Sequence, residues 1–470
     1  MDVVGYRKEQ DPMGEMQIPD WALWGASTQR AIENFPVSGR KMPLAMIHAL
    51  GMLKSACAKV SMDLGMLETA KAEAIIAAAD EIADGKLDRH FVVDVFQTGS
   101  GTSTNMNVNE VISNRAVQSI GKPAGSKETV HPNDHVNLGQ SSNDIFPTAM
   151  HVAASLMLSE KLKPALLRLG QTLSKKSSDW HDIIKVGRTH LMDATPIRMG
   201  QVFAGYAAQA MHSVARVDQA IQALSELAVG GTAVGTGINT HPEFGRRVSE
   251  ELTRRTGIKF RETTNHVEAQ ATQDAVVEVS GELKTIAVSL SKIANDIRLL
   301  GSGPRCGLSE LILPEIQPGS SIMPGKVNPV ICESVIQVAI RVIGNDATIT
   351  YAGFGGVGSI MESNAAMPVI ADALLESIQL LANVTELLVS KVIEGMSVNR
   401  SRCEELLENS LMMATALTPS IGYDQASRLA TRAFAEGKSI RQLAIEMNLV
   451  SPERLDELLD PASMTEPGRK

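Results

Sequence analysis

Residues 319–329 read Gly-Ser-Ser-Ile-Met-Pro-Gly-Lys-Val-Asn-Pro. A chain that elsewhere reads as long helix breaks here, around two serines, one lysine and one asparagine. Three other segments share this chemistry: QTGSGTSTNMNVNE at 97–110, HPNDHVNLGQSSND at 131–144 and GRTHLMDAT at 187–195. Each is dense in small hydroxyl and amide side chains, with glycine where the backbone must bend or approach another group closely. Taken singly, each also has the composition of a helix cap or a turn. Four of them, each ahead of a long helical stretch, point to a receptor for carboxylates or phosphates, because helix N-termini offer free amides and a positive dipole end. The glycine runs GSGTST and GGTAVGTG are not phosphate loops. Neither is a GxGxxG after a strand, and neither ends in GK[ST].

The elements that must position these islands are helices. Aromatics are only 3% of the 470 residues, and Ala, Leu, Met and Glu are abundant, a balance that favours helix over sheet. Val276, Val279, Leu283, Ile286, Leu290, Ile293, Ile297 and Leu300 alternate spacings of three and four, an a/d seam that predicts packing against another helix. A second stripe runs Leu158, Leu162, Leu166, Leu169 and Leu173. Segments 333–343 and 373–389 are apolar nearly all round, as helices inside a bundle are. These stretches predict an all-α fold in three domains. They are an N-terminal, mostly helical domain at 1–138, a central bundle of long helices at 139–395 and a small C-terminal helical domain at 396–470. The apolar faces suit a bundle shared between subunits or a large monomeric core.

Composition excludes several functions. Net charge is −9 with no basic stripe, which argues against a nucleic-acid partner. The N-terminal MDVVGYRKEQDPMGE is charged and lacks an apolar core, so no signal peptide is expected. No uncharged apolar run reaches the roughly 18–20 residues of a membrane span. Cys57, Cys306, Cys332 and Cys403 are scattered, with no CxxC pair, which predicts reduced thiols and a cytoplasmic protein. No HExxH or comparable metal pattern is present.

The islands carry a resemblance. GSSIMPGKVNP is similar to the signature of the fumarase/aspartase superfamily. SSND with FPTAMH behind it, GRTH, TGSGTSTNMNVNEV, ALWGASTQRAIENFP and SLMMATALTPSIGYD all resemble the class II fumarate hydratases. The likeness runs from about residue 12 to about residue 460. It implies an all-α homotetramer whose central bundle is shared by four subunits, with each active site built from three chains. It implies reversible trans addition of water to fumarate to give L-malate, a tricarboxylic acid cycle step, with no metal and no cofactor. Removal of a proton beside a carboxylate then leaves an aci-carboxylate, and fixed donors must meet its second charge.

By motif, Lys326 and Asn328 would hold that carboxylate. Thr102, Ser141, Ser142, Asn143 and Thr189 would fix the two ends of the substrate, with Ser100 nearby. Ser320 matches the family's catalytic base, with Ser321 as its rival. His190 matches the group that orients or protonates the water, and Glu333 its partner. His131, Asn133 and Asp134 match a secondary carboxylate site, but Glu128, beside Lys127, stands where that motif has a basic residue. A second departure is GSIMESNAAMP at 358–368, where Met367 replaces the family's basic residue. Because it lies outside the islands, it is expected to alter packing or assembly, not chemistry. Val330 is a third departure, shared with aspartases. The rival activity is aspartate ammonia-lyase or another fumarate-releasing lyase, which carries Gln at the position of His190 and MPAK for MPGK. A non-catalytic protein on this scaffold would have lost Ser320, Lys326, Asn328, His190 or Glu333, and all five are present.

Overall fold

The structure, a computed structural model, describes residues 5–467. Residues 1–4, part of the stretch read for a signal peptide, and 468–470 lie outside the described residues. A hairpin of β1 (Tyr6–Asp11) and β2 (Gly14–Pro19) comes first, then α1 (Ala26–Asn34), α2 (Leu44–Asp63), α3 (Thr69–Ala83), α4 (Thr102–Ser119) and α5 (Ser142–Met157). Next are α6 (Lys163–Asp179), a second hairpin of β3 (Ile184–Thr189) and β4 (Met192–Arg198), and α7 (Met199–Ala223). The remaining labelled helices are α8 (Phe244–Thr256), α9 (His266–Ala271), α10 (Asp274–Leu300), α11 (Val330–Gly353), α12 (Met367–Leu388) and α13 (Arg400–Asn409). Among the described residues strand occurs only as two-stranded pairs.

The helical periodicities hold. All eight positions of the α10 seam are buried, as are the five leucines from Leu158 to Leu173. The leucine stripe does not lie on one regular rod, however. A single π-turn at Leu158–Leu162 separates α5 from α6, and the wider turn resets which face points inward. The apolar segment 333–343 is only partly covered within one chain. Val335, Ala339 and Val342 are buried, but Ile340 is 66% exposed within one chain and Ile343 is exposed too. The stretch Met367–Ile393 is long and apolar enough to cross a membrane by composition, yet most of its apolar window is buried in this chain. That burial makes it a core helix.

The chain forms two compact units. The division falls within α6, α7, α10, α11 and α12, so it follows compactness and is a separate description from the consecutive segments 1–138, 139–395 and 396–470. Among the described residues, unit 1 comprises 5–164, 215–287 and 338–383. At its centre α2 packs against α3, α4, α5 and α8. Gly51 permits a close approach: a Cβ there would stand 2.7 Å from the Ala83 amide of α3. Buried Glu110 of α4 accepts from the amides of Gly25, Ser27 and Thr28 and from the Thr28 hydroxyl, and so caps α1 and anchors it on α4.

Among the described residues, unit 2 comprises 165–214, 288–337 and 384–467. Its C-terminal helices enclose a core of Leu407, Leu417, Leu429, Leu443 and Leu455, which also includes Val186 of β3. Hairpin β3–β4 is therefore built onto the C-terminal cluster, with α13 packed on β3.

Candidate active site

In unit 1 the first island bends into α4. Gly101 precedes the helix in the left-handed region at φ 75°, and a Cβ there would fall 2.1 Å from the Phe146 ring, so only glycine fits. Thr98 Oγ1 accepts the Ser103 amide at 3.0 Å, and Gln97 Oε1 accepts the Thr104 amide at 2.9 Å. This leaves Ser100 and Thr102 at the open end of the helix, their hydroxyls 2.9 Å apart. The segment 358–368 meets this loop directly. The Met367 amide donates to Gly99 O at 2.9 Å, and a Cβ on Gly99 would stand 1.9 Å from Ala365 O. The departure at 358–368, expected to bear on packing or assembly alone, lies against the first island.

The second island opens α5 with a capping box. Ser141 Oγ accepts the Asn143 amide at 3.3 Å, and Asp144 Oδ1 accepts the Ser141 amide at 2.9 Å. The other oxygen of Asp144 accepts the amides of Gly230 and Thr232 at 3.1 and 3.0 Å. Burial pushes the Asp144 carboxyl up to about 6. Asn143 Nδ2 donates to Ala233 O at 2.7 Å, so the loop at 230–233 is fastened to the start of α5 from two side chains. Ser142 is buried and its hydroxyl lies 3.4 Å from Asn105 Nδ2 of α4, which joins the two islands. Upstream, His131 Nδ1 accepts the amides of Asn133 and Asp134 at 3.2 and 3.1 Å. An atom that accepts two amides carries no proton. The 3.4 Å approach of Asp134 to the same nitrogen is therefore not an ion pair. Lys127 donates to Gln10 O, and its neighbour Glu128 is exposed.

In unit 2 the third island is not a helix N-terminus. Arg188 and Thr189 end β3, and His190 and Leu191 form the two-residue turn, with Thr189 opposite Met192. Both turn residues have positive φ, 56° and 63°, the geometry of the tight hairpin turns. The tip is fully presented: Thr189 and His190 are exposed, and Leu191 and Met192 are 76% and 69% exposed. Its base is fixed by a buried ion cluster, Arg188 at 3.0 Å and Lys185 at 3.1 Å from Glu310, which is fully buried. Burial also lowers the Lys185 pKa.

The fourth island closes on itself. The Gly319 amide donates to Lys326 O at 2.7 Å, and Asn328 Nδ2 donates to Gly319 O at 2.9 Å. Inside this ring the amides of Ile322 and Met323 donate to Ser320 Oγ at 3.2 and 3.1 Å. Ser321 and Lys326 are exposed, and among the described residues Ser321 makes no hydrogen bond. Glu333 sits in the first turn of α11, where the helix dipole favours an anion. Within one chain no hydrogen bond or ion pair joins His190 to Glu333. No group of three or more His, Cys, Asp or Glu is placed to hold a metal ion among the described residues. All four cysteines are free thiols.

Comparison with known proteins decides the family. Residues 14–344 match the lyase family and residues 413–466 match the fumarase C C-terminus. The chain is 52% identical to the class II fumarate hydratase of Corynebacterium efficiens, over 99% of this chain and 98% of that one. The chain belongs to the class II fumarate hydratases, a lyase family. The class II fumarate hydratase of Mycobacterium tuberculosis is 52% identical over 98% of this chain and 97% of its own length. Among solved structures, the class II fumarase of Schistosoma mansoni superposes with a TM-score of 0.95 at 40% identity, covering 99% of this chain and all of that one. A Brucella melitensis fumarate lyase:delta crystallin bound to cobalt gives 0.94 at 44% identity, covering 98% of this chain and all of that one.

The motifs of this family point to the polar tips and not to their supports. Asp144 is legible in the sequence as the last residue of an S-x-x-D capping box, but that motif does not reveal its hold on the loop at 230–233. Glu310, which fixes the base of the His190 hairpin, follows no local motif. Only its burial with two cations reveals it.

Proposed function

We propose that the protein catalyses reversible, metal-independent trans hydration of fumarate to L-malate, with Ser320 as base. The observation that carries this reading is the pair of backbone amides on Ser320 Oγ. A serine hydroxyl is a poor base unless its alkoxide is stabilised, and amides already aimed at the oxygen do so without reorganisation. Run from malate, the Ser320 alkoxide takes the proton from the carbon next to one carboxylate. The electron pair moves into that carboxylate as an aci-carboxylate, whose second charge Lys326 and Asn328 meet. The hydroxyl on the neighbouring carbon then departs as water, with a proton from His190, which Glu333 orients. Thr102, Ser141, Ser142, Asn143 and Thr189 hold the two ends, with Ser100 beside them.

In this reading the protein is a homotetramer, and His190 and Glu333 meet from different copies. The exposed apolar residues on α11 and at the hairpin tip support that assembly. The same resemblance puts a secondary carboxylate site at His131, Asn133 and Asp134. The Nε2 proton of His131 favours an anion there, and the charge of Asp134 opposes one. The free thiols suit a cytoplasmic location.

The test is the ultraviolet absorbance of fumarate after chelator-treated protein is supplied separately with L-malate and L-aspartate. Fumarate from malate alone is expected. Fumarate from aspartate alone would select the ammonia-lyase alternative, and loss of turnover on chelation would remove metal independence.

A further inference from the structure

One buried cation in unit 1 has no part in the reading above. Lys54 lies in the middle of α2 and is fully buried. Its Nζ donates to Asn137 Oδ1 and Gln140 Oε1, both at 2.9 Å, in the turn that leads directly into Ser141. Neither partner is charged. Asn137 Oδ1 also accepts from Nδ2 of Asn105 and of Asn109, each at 3.2 Å. Asn105 Nδ2 in turn lies 3.4 Å from Ser142 Oγ. One ammonium is thus coupled, through neutral amides, to the first turn of α4 and to the start of α5.

The charged and titratable groups around it are few. Cys57, one turn along α2, is held neutral because burial pushes its thiol up to about 12. Asp144 of α5 acts on Lys54 through space, but its oxygens already accept three backbone amides. From α8, Arg255 reaches α2 at Ser55, and it pairs with Glu251 and with Asp80 of α3. From α4 the facing groups are the amides of Asn105 and Asn109. A dry ammonium with no carboxylate in hydrogen-bond contact is costly. Burial accordingly lowers Lys54 to about 7. A dianion at the start of α4 and α5 would bring the missing charge.

We propose that Lys54 is a positioning residue of the dicarboxylate site: the buried counter-charge that a bound dianion recruits through Asn137, Gln140 and Asn105. The inference rests on the reading of Ser100, Thr102 and Ser141–Asn143 as that site. Its consequence is proton linkage. A dianion favours the ammonium, so binding near and above neutral pH takes up a proton, and affinity falls as Lys54 deprotonates.

The test is calorimetric titration of the whole protein with succinate, a dicarboxylate that cannot be hydrated, in two buffers of different ionisation enthalpy across pH 6 to 8.5. Uptake of about half a proton per site is expected near pH 7, fading towards pH 6, where Lys54 already holds its proton. Lys54→Met should abolish the uptake, raise KM for L-malate about tenfold and leave kcat within about threefold, a split that a displaced loop would not give. Lys54→Arg, charged throughout this range, should bind succinate without uptake. Absence of uptake by the unmodified protein overturns the proposal whether or not either variant folds. Uptake that persists in Lys54→Met, or an unchanged KM, overturns it too. Failure of the underlying reading looks different: succinate would not bind at all, or Ser142→Ala would bind it as well as the unmodified protein does.

Discussion

Ser320 and Ser321 are adjacent hydroxyls of identical chemistry, and hydrogen bonding separates them. Two amides converge on Ser320 Oγ, while Ser321 is exposed. Ser320→Ala should therefore lower kcat by about 10²- to 10⁴-fold, the range for removal of a general base. Ser321→Ala should stay within a few-fold. Steady-state rates on L-malate decide it, and equal losses in both variants would remove the distinction. The motif puts Ser320 first with Ser321 as its rival, but it does not show the two amides, which are aimed by the ring closing Gly319 onto Lys326 and Asn328. The same limit applied to Asn143 and Asn328. Their type and position were legible, but not that each gives an Nδ2 bond to the backbone, at Ala233 and at Gly319.

Elements were legible where periodicity was long. The α10 seam and the leucine stripe were read from spacing alone, and both are buried. The third island was misplaced because GRTHLMDAT carries no Asn-Gly or Gly-Gly turn signal; His190 and Leu191 take positive φ in a hairpin that the C-terminal core and Glu310 hold in place. The start of α5 yields a prediction of its own. Burial raises Asp144 from 3.8 to about 6, so the folded protein holds this proton more tightly than the unfolded chain does. The resulting stabilisation is full below about pH 4 and is lost as pH rises through about 6. A carboxyl raised from 3.8 to about 6 corresponds to about 3 kcal/mol. Asp144→Asn cannot titrate, so the stability of the unmodified protein relative to the variant should fall by up to that amount between pH 4 and 7. Denaturant melts at several pH values measure it. A difference independent of pH would show that the three amides, not burial, govern this carboxyl.

At the scale of the molecule, the proposed site residues fall in both compact units of one chain. Ser100, Thr102 and Ser141–Asn143 belong to unit 1, whereas Thr189, His190, Ser320, Lys326, Asn328 and Glu333 belong to unit 2. No bond joins His190 to Glu333 within a chain. Apolar residues stand exposed where a monomer gains nothing from them: Leu191 and Met192 at the hairpin tip, and Ile340 and Ile343 on α11. The sequence allowed for this, because its all-round apolar segments suit a bundle shared between subunits or a large monomeric core. It could not say which faces remain open, because periodicity gives a face and not its neighbour. If sites are assembled from different copies, light scattering should give a mass four times the 50.3 kDa subunit. His190→Gln and Ser320→Ala should each lose about 10²-fold or more in turnover. Unfolding and refolding the two dead variants together in equal amounts should then restore activity. His190 and Ser320 of one site would come from different subunits, so random assortment leaves both intact in about a quarter of the sites. Refolded singly, each variant should stay inactive. Activity no higher in the mixture than in either variant alone would mean that each chain builds its own site.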